Sequence, residues 1–189
     1  MKFIAGFVAA IVLICIGALI VIMTGVYNIA ATVPHIGFER IIFSTAMRNS
    51  VLSHAGSDTE HVTSEEQVRA GFQEYNEMCI VCHRAPGKEQ SDIGKGLHPN
   101  PPDLAETIRR WNSGQLFWIV KNGVKMTGMP AFGPTHGDDQ IWNIVAFVQR
   151  LPGMSADDYK AMEETSSESR PGPAIDHHQH PGESEDHRH

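Results

Sequence analysis

Two cysteines three positions apart, with a histidine directly behind the second, are the residues of this chain best equipped for chemistry: Cys79-Ile80-Val81-Cys82-His83. Thiols and an imidazole at this spacing suit a zinc ion, a redox dithiol, or covalent attachment of haem. A structural zinc site needs four ligands, normally two cysteine pairs or one pair with two spaced histidines. The third cysteine, Cys15, lies in an apolar run, and His98 and His136 are isolated in the sequence. A thioredoxin-like dithiol opens a helix that follows a strand. Here the pair ends a helical pattern, and no strand pattern precedes it. In haem attachment the thiols add to the vinyl groups, and the adjacent histidine becomes the proximal iron ligand. Two anchors leave that histidine little choice of position. The motif alone also arises by chance, so the elements around it carry the decision.

Those elements read as helices. Ser64 is the N-cap of SEEQVRAGFQEYNEM, with acids in its first turn and Val68, Phe72 and Tyr75 at helical spacing. Asp138 and Asp139 open GDDQIWNIVAFVQRL, whose apolar stripe is Ile141, Ile144, Val145 and Val148. Arg150 and then Pro152-Gly153 mark its stop. Between them, LAETIRRWNSGQLFWIVKNGV predicts one or two helices broken near Asn112–Gly114. No strand signal competes. The loop MTGMPAFGPTHG supplies a second ligand candidate. Met129 precedes Pro130, which biases its backbone toward an extended strap, and Gly128 permits close approach. Met126 is the alternative, with His98 and His136 as further competitors.

Residues 64–153 resemble a monohaem class I cytochrome c, and four features carry the resemblance. Gly71, Tyr75 and Cys79 recur at four-residue intervals, where the family's glycine lets the C-terminal helix cross closely. The Cys79–His83 motif is the second. Third is Pro86, placed where the family uses a proline carbonyl to accept the imidazole N–H, a bond that sets the tautomer. Fourth is GMPAFG, followed by a helix bearing Trp142 and Phe147. The resemblance implies an all-α cytochrome c fold of three to five helices around one covalent haem c. Cys79 and Cys82 would tether the haem, His83 and Met129 would be its axial ligands, and Pro86 would orient His83. Trp111, Phe132 and Trp142 are candidate pocket residues beside Phe117 and Trp118. Lys121 and Lys125 flank the ligand loop, where an ordinary solvated surface competes with a docking role.

The remaining segments set the surroundings. Phe3 to about Val26 is an uncharged apolar run beyond the ~18 residues that raise a membrane span. It is also longer than the ~7–15-residue core of a signal peptide. Ile14 is bulky where a lipoprotein cleavage site needs a small residue, so Cys15 reads as a buried apolar thiol. Lys2 on one side and Arg40 and Arg48 on the other leave orientation undecided by charge. The expected division is an anchor and exit over 1–34 and a juxtamembrane helix and linker over 35–63. The cytochrome domain at 64–153 and a largely disordered acidic, His-rich tail at 154–189 complete it. That tail holds three basic and nine acidic residues of a chain whose net charge is −7. Five histidines near its end suit loose metal binding, though a solvated tail is the simpler reading.

There is no basic patch, which excludes nucleic-acid binding as an expectation. The expected function is single-electron transfer, without catalysis of its own. Its partners would be redox proteins in or at the membrane, with the bilayer holding the N-terminal helix. Because such haem attachment occurs outside the bacterial cytoplasm, the resemblance places the protein on the cytoplasmic (inner) membrane, with its haem domain in the periplasm. Two other classes are a haem subunit of a larger dehydrogenase or oxidase, and a haem peroxidase or sensor with an open sixth position.

Overall fold

The structure is a computed structural model, described here over residues 2–33, 37–56 and 63–168. Eight helices and no strand occur among these residues: α1 Lys2–Thr24, α2 Gly37–His54, α3 Glu65–Glu74, α4 Asp92–Gly96, α5 Leu104–Thr107, α6 Ser113–Asn122, α7 Asp138–Val148 and α8 Ala156–Glu168. The expected all-α class holds, and five of the helices fall within the expected 64–153 region. α1 is uniformly exposed, with a mean hydropathy of 3.0. Its 23 residues would reach about 35 Å at ~1.5 Å per residue. That is long enough to cross a ~30 Å hydrocarbon layer.

Three of the helices use a glutamine at the third position to close their first turn. The Gln67 N–H donates to Ser64 Oγ at 3.2 Å, and the Ser64 N–H donates back to Gln67 Oε1 at 3.1 Å. Asn112 and Gln115 repeat the exchange at the start of α6, at 2.8 and 3.0 Å. The Gly137 N–H donates to Gln140 Oε1 at 3.0 Å where α7 begins. Each arrangement satisfies backbone donors that a helix start leaves without intrahelical partners. The break expected near Asn112 is therefore the capped start of α6.

The core forms where α3 crosses α7. A β-carbon added to Gly71 would lie 1.8 Å from the Asn143 carbonyl oxygen, so the two helix backbones are in direct contact. Around this crossing Val68, Phe72, Tyr75, Ile141, Ile144, Val145 and Phe147 are buried. Phe72 meets Phe147 edge-on at 5.3 Å between ring centres, and Tyr75 lies 5.1 Å from Phe147. Burying each such ring contributes up to about 3 kcal/mol. Exposed ion pairs at the margin, Arg150 with Glu65 and Lys121 with Asp138, add at most about 1 kcal/mol each.

The C-terminal boundary needs correction. The tail expected to begin at 154 instead contributes α8, and its Tyr159 is buried against Phe72 at 5.2 Å between ring centres. The Tyr159 hydroxyl donates to Asn76 Oδ1 at 3.0 Å. The apolar stripe of α8 is too sparse to read by periodicity. Its start is legible: Ser155 and Asp158 form a reciprocal cap, with the Asp158 N–H donating to Ser155 Oγ at 3.1 Å. The histidine-rich end lies outside the described residues, as does most of the 56–63 linker. The helix expected over 35–55 is found as α2.

Two measurements test this core. Gly71→Ala forces the α3–α7 crossing apart and is expected to lower unfolding free energy by at least about 2 kcal/mol in urea denaturation. Burial raises the hydroxyl pKa of both Tyr75 and Tyr159 above the ordinary 10.0. The unfolded chain then releases these protons first, so stability falls as pH rises above 10. Tyrosinate absorbance should appear with the unfolding transition, whereas rings titrating freely in the folded state would ionise before it.

Candidate haem site

The end of α3 widens into a π-helical turn, Tyr75–Cys79, which carries the chain into the Cys79–His83 segment. The Cys82 and His83 N–H groups both donate to the Cys79 carbonyl, at 3.1 and 2.8 Å. One compact turn therefore presents both thiols and the imidazole. Four elements clamp it from outside. The Tyr75 hydroxyl donates to the Arg84 carbonyl at 2.6 Å. Buried Gln90 donates to the Cys82 carbonyl at 3.2 Å and to Asn100 Oδ1 at 3.1 Å. The Ser91 hydroxyl donates to the Val81 carbonyl. Gly94 comes so close that an added β-carbon would lie 2.6 Å from the Cys82 carbonyl oxygen.

His83 Nδ1 lies 3.0 Å from the Pro102 carbonyl oxygen. A carbonyl can only accept, so Nδ1 carries the hydrogen and the neutral ring leaves its Nε2 lone pair available. Burial lowers the imidazole pKa, against the opposing pull of the Pro102 bond and Asp103. Both effects of the surroundings, tautomer and neutrality, suit a metal ligand. The expected partner, Pro86, is not the one used. Pro86 and Gly87 form the corners of a turn closed by the Lys88 N–H on the Ala85 carbonyl at 2.9 Å, with Gly87 at φ 75°. Three residues of chain are spent making that turn. The proline-rich segment later in the sequence brings Pro102 back to the ring instead.

Cys79 and Cys82 are both unpaired thiols. Burial pushes the Cys79 thiol up to about 12, with Glu74 and Cys82 adding to the shift. Met78, Cys79, Ile80, Leu104, Trp111, Phe117, Met129, Phe132 and Trp142 are all partly buried and packed on the core. Trp142 stacks on Phe117 at 4.4 Å between ring centres. Phe132 meets His136 edge-on at 5.4 Å. Lys121 lies 5.3 Å over Phe117 and 2.6 Å from Asp138, so its charge is engaged within the domain.

The strap bearing Met129 is pinned at both ends. The Val124 N–H donates to the Met129 carbonyl at 3.2 Å, and the Met129 N–H donates to Thr127 Oγ1 at 3.1 Å. The Phe132 and Gly133 N–H groups return to the carbonyls of Val120 and Lys121 at 3.2 and 2.9 Å. Gly123, at φ 65°, has no room for a side chain: its β-carbon would lie 2.6 Å from the Pro130 backbone. At Gly128 the strap runs against the end of the Leu97 side chain. Met129 thus belongs to the half-buried apolar wall, whereas Met126 is 71% exposed, with φ 61°.

The donor set fits haem: two unpaired thiols, a neutral imidazole with Nε2 available, and a thioether on an apolar strap. Sequence reading missed Pro102, Gln90 and Ser91. Nothing in the spacing of HPNPPDL sets Pro102 apart, and nothing about an isolated glutamine announces a buried clamp. Gln90→Leu keeps the volume but leaves the Cys82 carbonyl without its side-chain donor. We expect it to lower unfolding free energy by about 1–3 kcal/mol in urea denaturation.

Residues 66–148 match the family model described as "Cytochrome C oxidase, cbb3-type, subunit III". No curated protein matches the chain. The matched segment opens within α3 and closes at the last residue of α7, so it contains the crossing, the thiol turn and the strap. Over this all-helical segment the chain resembles the cytochrome c family, whose cofactor is haem and whose chemistry is electron transfer.

Proposed function

We propose that the protein is a membrane-anchored c-type cytochrome that passes single electrons between redox partners in or at the bacterial cytoplasmic membrane. One covalent haem would be tethered by Cys79 and Cys82, with His83 and Met129 as axial ligands and the domain on the periplasmic side. The observation that carries this reading is the His83 imidazole within the turn that presents both thiols: the Pro102 carbonyl sets its Nδ1–H tautomer and burial favours its neutral form. Bound haem supplies a reversible one-electron couple. The chain's own contribution is to hold its ligands still. Pro102 fixes the imidazole plane, and the pinned strap fixes the Met129 backbone. The partly buried wall of Trp111, Phe117, Phe132 and Trp142 keeps water away, so a change of charge moves little around it. A thioether opposite the imidazole favours ferrous iron and a higher potential than two histidines would give. α1 would confine the domain to the membrane plane.

A second reading rests on the family description, which names an oxidase subunit. Under it the same domain delivers electrons within a larger membrane enzyme. Co-purification of this chain with other haem or copper subunits from detergent-solubilised membranes would favour that reading. Spectroscopy of wild type beside Met129→Ala tests the site itself. The substitution should abolish the long-wavelength absorption of methionine-ligated ferric haem and let the ferrous form bind carbon monoxide readily at neutral pH. An unchanged spectrum would overturn the ligand assignment. Replacing Cys79 and Cys82 together with serine should make the haem extractable by acidified acetone.

A further inference from the structure

α2 has two apolar faces, and the domain uses only one. Val51 is fully buried where α2 packs on α6, Met47 and Ser50 are half-buried, and the His54 ring lies 6.1 Å from the Trp118 ring. At 3.6 residues per turn the opposite side of α2 presents Phe38, Ile41, Ile42 and Leu52, with Thr45 and Asn49 between them. Phe38 is 71% exposed and Ile41 65%. An exposed apolar patch of this kind, facing away from its own domain, needs an occupant.

The position of α2 identifies one. Tyr27, three residues beyond the end of α1, donates its hydroxyl to Glu39 in the first turn of α2. If α1 spans the membrane, α2 therefore begins at the level where the chain leaves the hydrocarbon, the depth at which tyrosine is favoured. Arg48 is exposed at the margin of the stripe, one turn before Leu52, placed to reach lipid phosphates beside it. We infer that α2 lies along the bilayer surface as a two-faced spacer, its Phe38–Ile41–Ile42–Leu52 stripe in the interface and its Met47–Val51–His54 side carrying the cytochrome domain. The α6 side of the domain then faces the membrane, and the orientation of the domain is set by packing as well as by a tether. This inference rests on the reading of α1 as a retained span.

The test uses the full-length holoprotein with Cys15→Ala, reconstituted in vesicles of phosphatidylcholine and phosphatidylglycerol. Single cysteines for nitroxide labelling replace Ile20, Thr45, Asn49 or Lys160 in turn, and collision with oxygen and with a water-soluble nickel chelate is measured. Labels at 45 and 49 should show higher oxygen and lower nickel accessibility than the label at 160, and a shallower depth than the label at 20. Nickel accessibility at 45 and 49 equal to that at 160 overturns the inference while a buried label at 20 leaves the anchor intact. Shielding of 45 and 49 from both probes also overturns it, in favour of a protein partner or a second copy on this face. A label at 20 open to nickel overturns the anchor and the spacer together.

Discussion

Two helix backbones touch at Gly71, with no space for even one additional carbon between α3 and the Asn143 carbonyl. Every other part of the domain takes its place from that contact. It brings Phe72 and Tyr75 onto Phe147, which fixes the rotation of α3 about its own axis. The rotation in turn decides which way the π-helical turn at Tyr75–Cys79 delivers the thiols. α7 carries Trp142 in the other direction, onto Phe117 of α6, and the end of α6 receives the strap with Met129. A backbone contact of this kind is unforgiving because neither helix can yield by a rotamer change.

The helices with strong amphipathic patterns were legible in the sequence, as was the Cys79–His83 cluster that one short turn holds together. Periodic apolar positions and capping residues are local signals, and α3, α6 and α7 have both. What escaped was information carried by return contacts. Pro86 lay at an attractive spacing from His83, but a Pro-Gly pair has its own preferred use as a turn. The carbonyl at the ring comes from Pro102, nineteen residues on, by a path no spacing rule encodes. Gln90 became a clamp for the same reason. α8 was misread because one deeply buried tyrosine outweighs an otherwise polar helix, and composition averages such a residue away.

Charge is unevenly used. Within the domain several basic residues are engaged locally: Lys121 with Asp138, Lys88 with Glu163 on α8, and Arg150 with Glu65. Long-range steering of a partner by a one-signed field has little basis here. Encounter with partners then depends more on where the domain is held than on what attracts it, which gives the segment between α1 and α3 a functional weight its polar linker composition does not announce.

The partly buried thiol of Cys79 has a consequence for its reactivity. In the closed domain it holds its proton up to about 12, so at neutral pH almost none of it exists as the nucleophilic thiolate. Gln90, Ser91 and Gly94, which hold the Val81 and Cys82 carbonyls of its turn, all follow it in the chain, as does the Pro102 carbonyl at His83. A newly emerged chain ending before residue 90 would present the same two cysteines open and reactive. The finished fold therefore holds Cys79 as the protonated, poorly nucleophilic thiol.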